Sequence, residues 1–220
     1  MKKILIVVAH PDDEVLGCFG VVAKLIKQGY EAYTLILSGG KTSRGKAEGE
    51  LEIVKKEAIK ANKKIGIKEV FIENFPDNMF DSVALLEIVK KIEDIKNKTS
   101  PDIIFTHYEN DLNIDHKTTY KAVITATRPM KNECVKEIYS FEVLSSTEWS
   151  YPLSFSPDLF FDISDTINAK IEAMSCYKSE LREFQHPRSL KAIELNAKYW
   201  GMRVGKEYIE AFKTVRVIKD

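Results

Sequence analysis

Histidine and carboxylate side chains gather in two short segments of the sequence. The first segment, residues 9–14, reads AHPDDE and closes an apolar run that starts at Ile4. The second segment, residues 113–116, reads NIDH and ends nine residues after His107. Two imidazoles and one carboxylate make a three-ligand zinc site that leaves a fourth position open for water. Because zinc lowers the pKa of that water toward about 7, such a cluster supports hydrolysis at neutral pH.

The elements that must bring these segments together are predicted to form an α/β fold. The branched apolar run 4–9 is typical of a strand buried on both faces, and residues 15–28 repeat apolar side chains at helical spacing. Continued alternation predicts a Rossmann-like, mostly parallel sheet with helices on both faces. The predicted strands are 4–9, 33–37, 69–72, 102–106, 137–143, 159–163 and 214–218, and the predicted helices are 15–28, 51–63, 81–96, 115–126, 164–181 and 189–202.

We expect a single domain over residues 1–220, because the length fits one domain of roughly 100–200 residues or slightly more. Residues 1–130 carry the regular alternation and form the predicted α/β core. Residues 131–220 are less regular, and we expect them to form an irregular C-terminal extension over the pocket. The chain has no linker or low-complexity segment that would divide it further.

The two segments are expected to meet at one edge of the sheet, because ligands of open parallel sheets bind beyond the carboxyl ends of the strands. Pro11 favours an extended backbone at His10 and so holds it at the end of the first strand. Asp12 and Asp13 lie at the turn into the next helix, where successive side chains point in different directions. One of them can bind a metal while the other faces the bound water.

Composition narrows the class of protein. Lys+Arg and Asp+Glu both number 33, so the formal net charge is +0, which excludes the basic surface expected of a protein that binds nucleic acid or an anionic membrane. The three cysteines form no CxxC pair, which favours a reducing cytoplasm over a disulfide framework. No apolar run reaches the roughly 20 residues of a transmembrane helix. These features indicate a cytoplasmic enzyme with a small-molecule substrate and leave its oligomeric state open.

Other interpretations account for parts of this pattern. An acidic pair after the first strand also binds magnesium in phosphoacceptor domains, which need a further Asp after the third strand, where Asp77 lies. A non-catalytic module that binds a sugar or a nucleotide has the same fold and crevice but needs no metal ligands. An Asp pair at the start of a helix also has a purely structural use as an N-cap.

The segments AHPDDE at 9–14 and DLNIDH at 111–116 resemble the LmbE-like, or PIG-L, family of zinc-dependent deacetylases. HPRS at 186–189 and YIEAF at 208–212 resemble a bacterial branch of that family, so the resemblance spans nearly the whole chain. It implies hydrolytic removal of the acetyl group from an N-acetylated sugar of the N-acetylglucosamine type, with release of acetate. The sugar and its carrier, whether a nucleotide, a lipid or a thiol precursor, stay open.

The resemblance also implies roles by position. The ligands of Zn²⁺ would be His10, Asp13 and His116. Another divalent ion such as Fe²⁺ is an alternative, since a His/Asp set is not selective by itself. Asp12 would be the general base that takes a proton from the zinc-bound water. Glu14 would support the ligands, and Asp115 would orient a ligating or catalytic group.

One position departs from the family pattern. Many members have a histidine three residues before the last ligand, and this chain has Asn113 there. An amide donates a hydrogen bond to an oxyanion but delivers no proton at neutral pH. The leaving amine must then take its proton from Asp12 or from His186, if the C-terminal extension folds over the pocket.

Three further polar residues are candidates for substrate binding. Arg44 and Arg188 suit a phosphate or carboxylate on the substrate, because arginine binds such groups with two parallel hydrogen bonds. Asp77, in a Pro-Asp-Asn sequence, suits a sugar hydroxyl. Each of the three also has a plain structural use, as a surface charge or a turn residue.

Overall fold

Seven strands form one sheet in the computed structural model of the protein, which describes residues 1–39 and 48–219 and, of residues 48–50, the backbone alone. The strands are β1 (Lys3–Val8), β2 (Glu31–Ile36), β3 (Glu69–Ile72), β4 (Ile103–His107), β5 (Glu137–Phe141), β6 (Leu159–Asp162) and β7 (Ile209–Val217). The helices are α1 (Asp13–Lys27), α2 (Glu48–Ile65), α3 (Leu85–Thr99), α4 (Ile114–Ala126), α5 (Ile167–Met174) and α6 (Leu190–Val204).

The order of the strands creates a crevice beside β1. The sheet runs β3-β2-β1-β4-β5-β7-β6, with parallel pairing from β3 through β5 and with β7 antiparallel to both of its neighbours. Strands β2 and β3 lie in sequence on one side of β1. The chain then crosses over, and β4 and β5 lie in sequence on the other side of β1. The reversal lies between β1 and β4, which is where ligands of such sheets bind. The predicted mostly parallel α/β fold is confirmed.

Strand β1 is buried on both faces, as its unbroken apolar run predicts. Ile4, Ile6 and Val8 pack in the core under α1, α2, α5 and α6, whereas Leu5 and Val7 pack in the core under α3 and α4. This alternation follows from the two-residue period of a strand. Within the described part of the chain, none of the helices combines the length and apolar character that crossing a bilayer requires.

The C-terminal third completes the sheet. β5, β6 and β7 overlap the strands predicted at 137–143, 159–163 and 214–218. The helix predicted at 164–181 is limited to Ile167–Met174, and the turns that follow it bury Tyr177 and Glu180. The last strand begins at Ile209 rather than at residue 214, because residues 209–212 pair with β6, and the fully buried Phe212 also pairs with β5.

Candidate active site

Three side chains with metal-binding atoms meet at the crevice between β1 and β4. His10 follows β1, Asp13 begins α1 and His116 lies in the first turn of α4. His10 Nδ1 and Asp13 Oδ2 are 3.4 Å apart, and His116 Nε2 lies 3.3 Å from each of them. A tetrahedral zinc ion with bonds of about 2.0–2.1 Å separates its ligand atoms by about 3.3–3.4 Å. These three atoms, called here the metal triangle, therefore match one face of a zinc coordination tetrahedron.

Each histidine of the metal triangle has a carboxylate against its other ring nitrogen. His10 Nε2 lies 3.0 Å from Asp115 Oδ2, and His116 Nδ1 lies 3.1 Å from Asp111 Oδ1. A carboxylate in that position accepts the ring N–H and thereby leaves the opposite nitrogen with its lone pair. His10 is thus set to bind a metal through Nδ1, and His116 through Nε2.

Asp115 is fully buried and is fixed by the loop that follows β3. Its Oδ2 accepts the N–H of Asn78 at 2.7 Å, and its Oδ1 accepts the N–H of Phe80 at 2.9 Å. Asn113 caps α4, because its Oδ1 accepts the Asp115 N–H at 2.8 Å. The Asn113 Nδ2 group donates to Asn78 Oδ1 at 3.1 Å. The loop, the helix cap and the carboxylate that orients His10 therefore form one network.

Asp111 lies against the His116 ring, a role that its position in the sequence did not predict. Its carboxylate accepts the hydroxyls of Ser146 and Thr147 and the N–H of Asn113. Burial is the largest influence on the pKa of Asp111 and acts to raise it. The hydrogen bond and charge of His116, helped by the two hydroxyls, outweigh burial and lower the pKa to about 2. Asp111 stands in the quoted DLNIDH segment, but only the return of that loop onto His116 reveals what it does.

The same carboxylates make both histidines strong bases. Burial is the largest influence and acts to lower their pKa values, but hydrogen bonds to Asp115 and Asp13 raise the pKa of His10 to about 10. The charge of Asp13 and the hydrogen bond to Asp111 raise the pKa of His116 to about 9, again against burial. Burial also opposes ionisation of Asp13, yet the neighbouring histidines hold its pKa well below the usual range. The donor set attracts positive charge, whether as protons or as a metal cation.

Asp12 lies beside the metal triangle in a left-handed backbone conformation. Its φ of 92° and ψ of −25° fall where a residue other than glycine costs about 1–3 kcal/mol of strain. Its carboxylate is buried, and Arg188 Nη1 lies 3.4 Å from Asp12 Oδ2. Burial raises the pKa of Asp12 to about 7, although the charge of Arg188 acts to lower it. A carboxylate with that pKa can accept and return a proton at neutral pH.

Glu14 supports the turn at Asp12. Its Oε2 accepts the Asp12 N–H at 3.1 Å, and its Oε1 accepts the Tyr177 hydroxyl and, at 2.9 Å, an amide hydrogen of Asn62. Asn62 in turn accepts the Thr34 hydroxyl at 2.7 Å. Burial raises the pKa of Glu14 to about 8, although its hydrogen bond from Tyr177 acts to lower it. These contacts tie the strained turn to β2, to α2 and to the segment after α5.

The metal triangle lines a cavity of about 200 Å³, called here the metal cavity. The lining residues are His10, Pro11, Asp12, Asp13, Val54, Asp77, Asn78, Asn113, His116, Ser145, Ser146, Glu180 and Arg188. Nearly all of them present polar groups, which suits a substrate rich in hydroxyls. The last four come from the C-terminal part of the chain, which closes one wall of the metal cavity.

The residues predicted to bind substrate, and the predicted acid His186, lie in different places. Asp77 lines the metal cavity with Oδ1 3.3 Å from His10 Nε2, and Arg188 lines it beside Asp12. Arg44 lies outside the described residues. His186 lines a neighbouring cavity instead, and its Nδ1 accepts the Arg188 N–H at 3.1 Å. Its role as a general acid stays a prediction.

Three lining residues carried no signal in the sequence. Ser145 and Ser146 stand in an ordinary turn, and Glu180 lies where a continuous helix was predicted. Glu180 is 2% exposed and accepts a hydrogen bond from Arg188 Nη1 at 3.2 Å. Serine and glutamate are common in turns and on helix surfaces, so only the tertiary contact with Arg188 distinguishes this glutamate.

Several curated relatives of the chain are named as deacetylases, and two of them are described here. The chain is 28% identical over 187 residues to a probable N-acetyl-alpha-D-glucosaminyl L-malate deacetylase 2 of Bacillus cereus, a match that covers 81% of this chain and 84% of that protein. It is 27% identical over 228 residues to the diacetylchitobiose deacetylase of Thermococcus kodakarensis, covering 98% of this chain and 84% of that protein.

Among solved structures, a close match in fold is GalB, the 4-carboxy-2-hydroxymuconate hydratase of Pseudomonas putida KT2440. Its TM-score is 0.79 at 20% identity, and the match covers 100% of this chain and 99% of that one. At such identity the likeness shows the fold alone. Because GalB is a hydratase, the reaction has to be argued from the site and from the sequence relatives.

The sequence itself settles the family. The model of the PIG-L family, described as GlcNAc-PI de-N-acetylase, matches residues 5–127, which is more than half of the chain. The matched span includes the metal triangle, Asp12 and the two carboxylates that orient the histidines. The prediction made from the two motifs is therefore confirmed: the chain belongs to the PIG-L family of deacetylases.

Proposed function

We propose that the protein is a zinc-dependent deacetylase that hydrolyses the acetamido group of an N-acetylglucosamine-type sugar and releases acetate. The observation that carries this proposal is the metal triangle, whose spacing suits a tetrahedral ion, with the buried carboxylate of Asp12 beside it. The two curated relatives act, by their names, on N-acetylated glucosamine conjugates. The three cysteines are free, which supports action in the reducing cytoplasm.

His10, Asp13 and His116 are the residues that would hold the ion. Two imidazole nitrogens and one carboxylate oxygen suit Zn²⁺ and also Fe²⁺, so the identity of the metal is part of the test. A bound zinc ion would act as a Lewis acid and would lower the pKa of water from 15.7 toward about 7. The three ligands leave one position for water or the acetamide oxygen.

Asp12 is the group that moves the proton. With a pKa raised to about 7, its carboxylate is ionised in about half of the molecules at neutral pH, and the ionised form accepts a proton from the attacking water. The protonated carboxyl then delivers the proton to the departing amine, so a single residue serves as base and acid. The backbone contact with Glu14 and the ion pair with Arg188 hold Asp12 in place during both transfers.

Asn113 donates to the oxyanion that develops on the acetamide oxygen. Its Oδ1 is committed to capping α4, which fixes the orientation of the amide. One hydrogen of its Nδ2 group goes to Asn78, and an amide nitrogen carries two, so the other is available to the metal cavity. A neutral donor in this position stabilises negative charge but leaves proton delivery to Asp12.

The metal cavity suits a small polar group. Its volume of about 200 Å³ lies below the range of about 300–1,000 Å³ that is usual for drug-sized ligands. We therefore expect the acetamido sugar to occupy it alone, with the rest of the substrate outside. Asp77 is placed to accept a hydrogen bond from a sugar hydroxyl.

The decisive experiment measures acetate release from N-acetylglucosamine, N,N′-diacetylchitobiose and N-acetylglucosaminyl malate. The purified enzyme is assayed as isolated, after chelation, and after resupply of Zn²⁺ or Fe²⁺. We expect release from at least one sugar, loss of activity on chelation and recovery with one of the two ions. Absence of acetate release from the whole panel by the zinc- and the iron-loaded protein would contradict the proposal, and so would activity that survives complete removal of the metal.

A further inference from the structure

A second cavity adjoins the metal cavity and takes no part in the proposed reaction. It has a volume of about 220 Å³ and is lined by Ser145, Trp149, Arg182, His186 and Arg188. Ser145 and Arg188 line both cavities, so the two cavities are neighbours. We call the second one the arginine cavity. A substrate whose sugar lies in the metal cavity can extend past this shared wall into it.

Arg182 supplies a positive charge that no carboxylate neutralises within the described part of the chain. Its hydrogen bonds run from Nη1 to the carbonyl oxygens of Ser179, at 3.2 Å, and Leu181, at 3.0 Å. Both partners are neutral, and the side chain is exposed. The remaining N–H groups of a guanidinium, of which there are five in all, are free to bind a planar anion.

Two carboxylates close to residues of the arginine cavity are already engaged. Glu148 accepts the backbone N–H groups of Ser145, at 2.6 Å, and Ser146, at 3.1 Å. Glu180 accepts from Arg188 Nη1, which also lies 3.4 Å from Asp12. Arg188 further donates from Nε to Ser145 Oγ at 2.6 Å. Arg188 is therefore paired, whereas Arg182 has no carboxylate partner among the residues that the structure describes.

His186 adds a hydrogen-bond donor to the arginine cavity, and Trp149 adds an apolar surface. His186 Nδ1 accepts the N–H of Arg188, so the ring proton sits on Nε2, where it can be donated. Burial, followed by the charges of Arg188 and Arg182, lowers the pKa of His186. The Trp149 ring meets the His186 ring edge to face at 6.3 Å between centroids and is 41% exposed. A ring in this position can cover the apolar part of a ligand.

We propose that the arginine cavity binds an anionic group, a carboxylate or a phosphate, that the substrate carries beyond its acetamido sugar. Arg182 is the main contact, and the Nε2 hydrogen of His186 is a second donor. The inference rests on the proposed function for the position of the sugar, and it narrows the substrate class to acidic conjugates. An anion between an unpaired guanidinium and an imidazole N–H makes charge-assisted hydrogen bonds, which are stronger than neutral ones.

The test compares kcat/KM for three substrates: N-acetylglucosaminyl malate, N-acetylglucosamine 1-phosphate and neutral N,N′-diacetylchitobiose. We expect Arg182→Gln to lower kcat/KM about tenfold for whichever acidic substrate is used and to leave the neutral one unchanged. The malate and phosphate arms separate the two sources of the anion. Arg128→Gln is the matched control, since Arg128 is also exposed but lines neither cavity, and we expect it to change none of the rates.

Calorimetry separates failure of this inference from failure of the proposed function. The wild-type holoenzyme and Arg182→Gln are titrated with glucosamine 1-phosphate, which has no acetyl group, and with methyl glucosaminide, which has the same amino group but no phosphate. We expect about tenfold tighter binding of the phosphate by the wild type than by the variant, and no difference for the methyl glycoside. If Arg182→Gln changed the affinity for both ligands equally, or for neither, the proposal that the arginine cavity binds an anion would be wrong, even if acetate release is observed. If no acetate were released but Arg182→Gln selectively weakened binding of the phosphate, the proposed deacetylase activity would be wrong and the anion-binding proposal would stand.

Discussion

The metal cavity has two walls of different origin. The metal wall follows the ends of β1 and β4; His10, Asp13 and His116 line the cavity, and the carboxylates of Asp111 and Asp115 lie behind the two histidines. The C-terminal wall comes from turns between residues 145 and 188 and consists of Ser145, Ser146, Glu180 and Arg188. On the metal wall, the side chains of Asp111 and Asp115 are completely buried, whereas on the C-terminal wall 26% of the Arg188 side chain is exposed.

This difference indicates which wall determines the chemistry of the reaction and which wall determines the choice of substrate. Each histidine of the metal wall is fixed by a buried carboxylate, and that carboxylate is held in turn by backbone N–H groups or hydroxyls. Such a wall would hold a metal in one geometry. The C-terminal wall borders solvent and the arginine cavity, and its cation reaches Asp12 across the cavity. We infer that it tunes the base and selects the substrate without binding the metal.

The largest expected effect comes from a substitution in the metal wall. His116→Ala removes one of the three proposed ligands, and we expect the purified variant to contain no stoichiometric metal and to lose more than about 10⁴-fold in acetate release, because water loses its activation. Metal content is measured after gel filtration. Arg188→Gln is the paired change in the C-terminal wall and should keep its metal. If both variants lost the metal equally, the division of roles between the walls would be wrong.

The next effect separates proton transfer from metal binding. Asp12→Asn keeps the size of the side chain but removes its capacity to accept a proton. We expect full metal content and a fall in kcat of about 10²–10⁴-fold, with a small change in KM. Single-turnover rates and metal analysis on the same preparation make the measurement. Near-wild-type turnover by this variant would assign the base to another residue.

A smaller effect tests the carboxylate that orients His116. Asp111→Asn replaces an ionised acceptor by a neutral amide, so the tautomer of His116 is held less firmly. We expect metal affinity to fall about 10–100-fold, measured by competition with a chromogenic chelator. Asp102→Asn is the matched control, because Asp102 accepts the backbone N–H of Lys3 at the opposite end of β1. An equal loss of affinity in both variants would show a general effect on the fold.

The two walls also differ in how much of them could be predicted from the sequence. His10, Asp13 and His116 stand in contiguous motifs at strand ends, so the chain order and the parallel sheet were enough to bring them together. His107 ends β4 at the same edge, but its ring stacks on His116 at 3.9 Å between centroids and its Nε2 accepts the Ala9 N–H at 2.9 Å. A strand end alone could not distinguish this packed histidine from a ligand.

The C-terminal wall depends on contacts that leave no local pattern. Glu180 turns inward because α5 ends at Met174 and Tyr177 binds Glu14, and neither event follows from the helical periodicity of residues 164–181. Ser145 and Ser146 reach the metal cavity because the turn after β5 folds toward Asp111. The HPRS motif at 186–189 was visible, but of its two candidates only Arg188 reaches the metal cavity. Motifs at regular elements were therefore predictable, and side chains placed by turns were not.

The smallest effect tests the link between the walls through pH. Burial raises the pKa of Asp12 to about 7. The positive charge of Arg188, 3.4 Å away, opposes this rise because it favours the ionised carboxylate. The base must be ionised, so kcat/KM falls as the pH drops through this pKa. Arg188→Gln removes the opposing charge, raises the pKa further and should move the acid limb to higher pH by about one unit. The profile is recorded with neutral N,N′-diacetylchitobiose, which avoids any contribution from the arginine cavity.

Arg188→Lys distinguishes charge from shape in that profile. Lysine keeps the positive charge but loses the guanidinium contact with Ser145, so its acid limb should stay closer to that of the wild type than the limb of Arg188→Gln. Both variants are expected to bind metal fully, because Arg188 touches no ligand atom of the metal triangle in the described contacts. If Arg188→Gln lowered the rate equally at every pH, Arg188 would act on substrate binding alone, and the C-terminal wall would have no influence on the base.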